Sequence, residues 1–447
     1  MRRRSRALTL SVLLTALAVA LVGGAIAMVG SDTAAPVIAA SPSGSEDTEE
    51  RFEPRSAPEA PPAPADGPAP DPAPDPAAGP DDEVPGARPH EEAGEAAEDG
   101  EPGDPVEPAL PAGPPSDTRT LSVHTEIRGD ISPKSVVASP GGLFLAQNMM
   151  YRHTITVYDR DHELLATIAD TVNPSSFGLA GPDAEVRGAP VEAAFTPDGR
   201  YAYVSNYAMY GPGYSRPGTD TCSPADGYDD STLYRVDLEA LAIDQVIPVG
   251  SVPKYVAVTP DGSTVLVTNW CSYDLSIVDV ATGTEVERLD LGRYPRGIAI
   301  TPDSATAYIA LMGAFDVLVL DLEDLSLDRV ADIGRSPRHL VLSPDGDTLY
   351  ATLNGEGVVA RIDLATEEVT KITTGEAPRS MDIAADGRSL YVVNYFSDTV
   401  SKVRTSDMTV LQTIDVANKP IGITYDRGTG RVWVASYSGV LTVLDDR

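Results

Sequence analysis

One spacing constrains this chain more than any other feature. Prolines that open similar apolar segments stand at Pro133, Pro190, Pro253, Pro295, Pro337, Pro378 and Pro420, with gaps of 57, 63, 42, 42, 41 and 42 residues. Near-constant gaps in this range mark an internal repeat whose unit buries its apolar face only by stacking on its neighbours. Inside the units a turn recurs: Thr196-Pro197-Asp198-Gly199, Thr259-Pro260-Asp261-Gly262, Thr301-Pro302-Asp303-Ser304, Ser343-Pro344-Asp345-Gly346 and, shortened, Ala385-Asp386-Gly387. Pro presets φ, Asp bonds its own backbone, and Gly supplies positive φ. Such a turn between two β-favouring runs predicts a hairpin.

A full unit holds four such runs. In the third copy they cover 255–258, 265–269, 275–279 and 286–291. Four short antiparallel strands in about 42 residues are one blade of a β-propeller. The last copy has only three runs, 421–425, 431–435 and 440–445, whereas Leu121 to Ile127 is a strand left over ahead of the first. The expectation is an all-β, seven-bladed propeller over residues 118–447. Its last blade is completed by the N-terminal strand, which removes free sheet edges.

The second-strand ends Tyr203-Val204-Ser205-Asn206, Val267-Thr268-Asn269 and Tyr391-Val392-Val393-Asn394, read with the Pro-Asp-Gly turns, resemble the YVTN-type β-propeller repeat. The likeness extends over 118–447 and is most specific in the third and sixth copies. The fourth and fifth put Leu311 and Leu353 at the Asn position, and the seventh replaces the turn with Asp426-Arg427-Gly428-Thr429-Gly430. The resemblance implies an exported, cell-surface binding propeller, and more distantly one with lactonase, lyase or haem-linked activity.

A propeller with this strand order has two unlike faces. The Pro-Asp-Gly hairpins lie on one. The blade-opening residues Lys134, Lys254, Arg296, Arg338 and Arg379 lie on the other, near the central channel, with the second-strand ends Asn206-Tyr207, Asn269-Trp270, Asn394-Tyr395 and Ser436-Tyr437. Five cations beside aromatics form a candidate site for an anionic or planar ligand. The competing expectation is that these cations pair with acids of neighbouring blades or simply face water, and that the asparagines cap loops. Two lengthened segments, about 172–188 and 207–231, fall on the same face. Cys222 and Cys271 lie on adjacent loops there, and in an exported protein that placement predicts a disulfide.

The remaining segments speak to location. Arg2, Arg3, Arg4 and Arg6 precede an uncharged run from Ala7 to Val29, so residues 1–30 read as a cleaved export signal or an uncleaved membrane anchor. Residues 31–117 hold 21 of the chain's 39 prolines and 22 acids against three Arg. That composition predicts an extended, disordered acidic linker. The expected location is extracytoplasmic, surface-anchored or secreted, with membrane attachment through the N-terminal segment if it is retained. A formal charge of −34 argues against general nucleic-acid binding.

Catalytic constellations are sparse. The five histidines, His90, His124, His153, His162 and His339, are scattered, and no Gly-x-Ser-x-Gly, Cys-x-x-Cys or His-Glu-x-x-His occurs. No catalytic residue, metal ligand or cofactor is therefore assigned. Asp226, Asp229 and Asp230 lack calcium-loop spacing. Asp382, on an inner strand, is expected either to pair with a neighbouring Arg, the favoured reading, or to form part of a site. The sequence reading is a monomeric, non-enzymatic binding module for a protein, a glycan or a small anion. The alternative is a lactonase- or lyase-like enzyme.

Overall fold

A computed structural model describes residues 113–447. The apolar run Ala7 to Val29 and the proline-rich stretch up to residue 112 lie outside the described residues. Among the described residues no helix is long and apolar enough to cross a membrane.

The Thr-Pro-Asp-Gly turn shows how the repeat folds locally. Thr259 Oγ1 donates to Asp261 Oδ1 at 2.6 Å and accepts the Thr264 amide at 3.0 Å, while Asp261 accepts the Ser263 amide at 2.9 Å. Gly262 sits at φ 74°. The knot recurs at Thr196 with Asp198 and at Thr301 with Asp303. With Ser343 and Asp345 as its pair in blade 5, it joins the first two strands of blades 2 to 5.

Seven four-stranded antiparallel sheets result, with one two-stranded ribbon. In the third blade the strands are Pro253–Val258, Thr264–Asn269, Asp274–Asp279 and Thr284–Asp290. The fourth begins two residues earlier than hydropathy suggested, because Gly283, at φ 64°, closes the preceding turn directly. The ring closes as expected. Leu121–Arg128 pairs antiparallel with Val440–Asp446, from Leu121 opposite Asp446 to Arg128 opposite Val440. Apolar side chains fill the space between neighbouring blades: Leu266 and Leu275 meet Ile298 and Ile309. Phe144 stacks on Trp433 across the first and seventh blades at 3.9 Å between ring centroids.

Two glycines permit the closest approaches. A Cβ on Gly297 would stand 2.8 Å from the Arg338 carbonyl, and one on Gly422 would stand 2.8 Å from Ser135 Cα. Blades 4 and 7 therefore carry no side chain at the inner-strand position that meets the next blade.

The seam between blades 6 and 7 holds a buried polar network. Lys402 and Asp446 form an ion pair with both side chains fully buried. Tyr391 donates its hydroxyl to Asp446 at 2.6 Å, and Lys402 also donates to the Arg119 carbonyl at 2.9 Å. Ser116 is buried here as well, its amide and hydroxyl both donating to Asp386.

Candidate functional site

The blade openings place the candidate residues. The residue before the opening proline is left-handed in blades 3 to 7: Val252 at φ 57°, Tyr294 at 59°, Ser336 at 57°, Ala377 at 52° and Lys419 at 60°. For non-glycine residues, and above all for a β-branched valine, this is strained backbone. Each such residue accepts, through its carbonyl, the amide just past the second strand: Trp270 at 2.9 Å, Met312 at 2.9 Å, Asn354 at 3.1 Å, Tyr395 at 3.2 Å and Tyr437 at 3.0 Å. Tyr207 is held likewise by Ala189 at 2.8 Å. The strain thus buys a fixed geometry: the residue just past the second strand, aromatic in blades 3, 6 and 7 but Met312 and Asn354 in blades 4 and 5, is locked beside the opening of the first.

The five cations follow their opening prolines: Lys254, Arg296, Arg338 and Arg379 at the second position of their inner strands, and Lys134 just ahead of Ser135–Ala138. Lys134, Lys254, Arg296 and Arg338 are buried, at 6 to 8% exposure, and Arg379 is half-buried. Blades 2 and 7 carry Val191 and Ile421 at this position. The cations are not equivalent. Lys254 donates to Asp220 Oδ1 at 2.6 Å and lies 4.2 Å from the Tyr207 ring centre. Arg379 stacks on Tyr395 at 3.6 Å, and Arg338 Nε donates to the Arg379 carbonyl at 3.2 Å. Arg296 lies 5.9 Å from the Trp270 ring centre. Only Lys254 of the five has a carboxylate partner within ion-pair distance among the described residues. The side chains of Lys134 and Arg296 have no hydrogen-bond partner there either.

Electrostatics reflect this crowding. Burial, then the charges of Arg296 and Arg338, hold Lys134 well below the usual lysine range. Burial, then Arg296 and Arg379, does the same to Arg338. Lys254 is pushed down to about 8 by burial, against the pull of Asp220. Tyr437 is pushed up to about 12 by burial, beside Arg379 and Arg338.

Asp220 comes from the long loop between Asn206 and Ser231. Trp270 donates its indole N–H to the Asp220 carbonyl at 2.9 Å. Cys222, two residues on, is disulfide-bonded to Cys271 with the Cα atoms 5.3 Å apart. Tyr273 donates to the Cys222 carbonyl at 2.9 Å. Lys254 holds the exposed Asp220 carboxyl down at about 2. The other loop acids are used internally. Asp226 accepts from Ser223, Asp229 accepts the Ser215 and Arg216 amides, and Asp230 pairs with Arg288 at 3.0 Å.

The three asparagines do not join the mouth. Asn206, Asn269 and Asn394 are completely buried. Asn269 donates to Asp274 at 2.7 Å and Ser276 at 2.9 Å, Asn394 to Thr399 at 3.1 Å and Ser401 at 2.9 Å, and Asn206 to the Thr232 carbonyl at 3.3 Å. Their amides tie the second strand to the third. Asp382 departs from its expected Arg partner: it accepts the backbone amides of Tyr425 and Ile383, each at 2.7 Å.

One residue further along the inner strands, the channel has a second polar tier. Ser135, Tyr255, His339 and Ser380 follow the mouth cations of their blades, and Glu192 occupies the same tier in blade 2. With Asp382 they line a cavity of about 140 Å³. Tyr255 and His339, from blades 3 and 5, meet across it at 3.1 Å between hydroxyl and Nε2. Burial, then Arg338, pushes His339 down to about 3, so the ring is neutral. Gly297 makes this crossing possible, since blade 4 contributes no side chain between them. Sequence reasoning missed Glu192 and Tyr255, although their fixed phase after the opening proline was available as a signal. Asp220 lies in a loop without any period to place it.

No family model and no curated protein matches the chain. Among solved structures 1701 chains match, too broad a set to indicate chemistry. One of them is a Kuenenia stuttgartiensis hydrazine synthase, 19% identical, aligned over 72% of this chain and 97% of that one with a TM-score of 0.56. At that identity the likeness shows the seven-bladed fold alone.

Proposed function

We propose that the propeller is an extracytoplasmic binding module that holds an anion, free or as the acidic group of a larger partner, at its basic channel mouth without chemical turnover. The observation that carries this reading is the state of Lys134 and Arg296: both buried, with no carboxylate in ion-pair range among the described residues. Burying an ion costs several kcal/mol, and here it is offset only by carboxylates beyond ion-pair range, Glu192 for both cations and Asp220 for Arg296. A bound anion would supply the missing charge in a partly desolvated setting, where charge-assisted hydrogen bonds are strong. Tyr207, Trp270, Tyr395 and Tyr437 add aromatic walls suited to a planar group. Extracytoplasmic placement is supported by the Cys222–Cys271 disulfide and by the Arg-flanked apolar run at the N-terminus.

The test is a thermal-shift and calorimetric screen of small anions (sulfate, phosphate, mono- and dicarboxylates) against the propeller. At least one anion is expected to raise Tm, with affinity falling as salt rises. Arg296→Met is expected to weaken that anion at least tenfold, since one charged hydrogen bond is worth about 1.5–3 kcal/mol. Equal binding by the variant, or no shift with any anion, would overturn the reading.

A further inference from the structure

The cavity one tier below the mouth is built for something other than charge. Glu192 lines it with no ion-pair partner within 4.0 Å among the described residues, although Lys134 and Arg296 are its electrostatic neighbours. An acid just inside a ring of cations lowers affinity for a bare anion, so anion binding alone does not account for it. Around it stand the Ser380 hydroxyl, the Tyr255 hydroxyl and a neutral His339. A water occupies roughly 10–15 Å³ on this scale, so about 140 Å³ has room for several heavy atoms beyond the anionic group. An apolar body placed there would strip water from Glu192 and return no hydrogen bond, which costs free energy. Burial raises the Glu192 carboxyl above its ordinary range, while the Lys134 charge, Ser135 and Arg296 pull it back; in its ionised form it only accepts hydrogen bonds, so the group that meets it must donate.

We infer that the ligand is a hydroxylated anion, with its acidic group among Lys134, Arg296 and Arg338 and a hydroxyl-bearing body inside the channel donating to Glu192. This rests on the mouth being an anion site and adds a specificity-determining role for Glu192. The cations supply attraction. The tier below selects among anions of equal charge by what their bodies can donate.

Charge-matched pairs that differ only in hydroxyl content test it: tartrate against succinate and glycerate against propionate, with sulfate as an anion that has no body. Calorimetry on the whole propeller is expected to give at least tenfold tighter binding for the hydroxylated member of each pair. Glu192→Gln, which keeps shape and removes the acceptor charge, is expected to reduce that ratio at least threefold without weakening sulfate. His339→Gln serves as a second variant if Glu192→Gln lowers Tm appreciably, and is expected to reduce the same ratio. Sulfate binding with a ratio near one in the native protein would overturn this inference and leave the mouth reading standing. A ratio unchanged in both variants would also overturn it. Failure of every anion, sulfate included, would overturn the mouth reading and this inference with it.

Discussion

Lys402 and Arg296 are both buried cations, and the fold treats them in opposite ways. Lys402, at the seam of blades 6 and 7, meets Asp446 and the Arg119 carbonyl, while Tyr391 completes the acid's hydrogen bonding. Arg296, at the channel mouth, meets the face of Trp270 and no carboxylate. The seam is a closed set of donors and acceptors, so its charges serve the fold. The mouth is an open set, held in place by strained backbone at Tyr294 and its counterparts. Positioned charge without a resident partner costs stability and leaves capacity for a ligand.

The comparison breaks most visibly at the seam. Asp446→Ala leaves Lys402 buried and uncompensated, and the expected loss is about 3–5 kcal/mol in denaturant unfolding. A loss under about 1 kcal/mol would mean that water reaches Lys402 and that the seam resembles the mouth. Asp170 is an intermediate case. It is fully buried, accepts the Gly188 amide at 3.2 Å, and burial raises its carboxyl to about 7. The folded protein therefore holds this proton more tightly than the unfolded chain, whose Asp titrates near 3.9. The resulting stability is fully present below about pH 4 and is lost as pH rises through about 7. Between pH 5 and 8 the native protein should lose roughly 3 kcal/mol relative to Asp170→Asn; parallel pH profiles for the two would count against a buried neutral acid. The smallest effect belongs to the mouth. Arg296→Met removes an unpartnered charge and should leave stability unchanged or raise it by about 1 kcal/mol, read as a Tm increase of roughly 2 °C. A clear drop in Tm would show that Arg296 has a structural role after all.

What was legible in the sequence follows the same division. Blade count, hairpin turns and closure by Leu121–Arg128 all follow from period and turn chemistry, which act locally and repeat. The phase after each proline also placed Lys254, Arg296, Arg338 and Arg379 on one rim, because the strand-opening geometry is common to their blades. The asparagines misled because a strand end borders both the loop and the sheet. Asn269 and Asn394 turn inward to Ser276 and Ser401, hydroxyls one strand away in the same blade. The channel tier was hidden for a related reason. Alternation assigns residues to the two faces of a sheet, but Glu192 and His339 sit where seven inner strands converge, and which neighbours leave room depends on Gly297 and Gly422 in other blades. The Lys254–Asp220 pair joins an inner strand to an irregular loop, and no periodic rule spans that distance.

The shared seventh blade has a consequence in time. Its outer strand, Leu121–Arg128, is made early, whereas its partner Val440–Asp446 emerges more than 300 residues later. At about 5–20 residues per second of synthesis, the early strand waits unpaired for roughly 15–60 seconds, while blades 1 to 6 can assemble behind it. Its exposed edge is then open to pairing with another chain. Val123, left about half exposed even in the finished ring, lies on that edge. The alternating Ser122, His124 and Glu126 on the same strand supply polar side chains that discourage such pairing until the partner strand arrives.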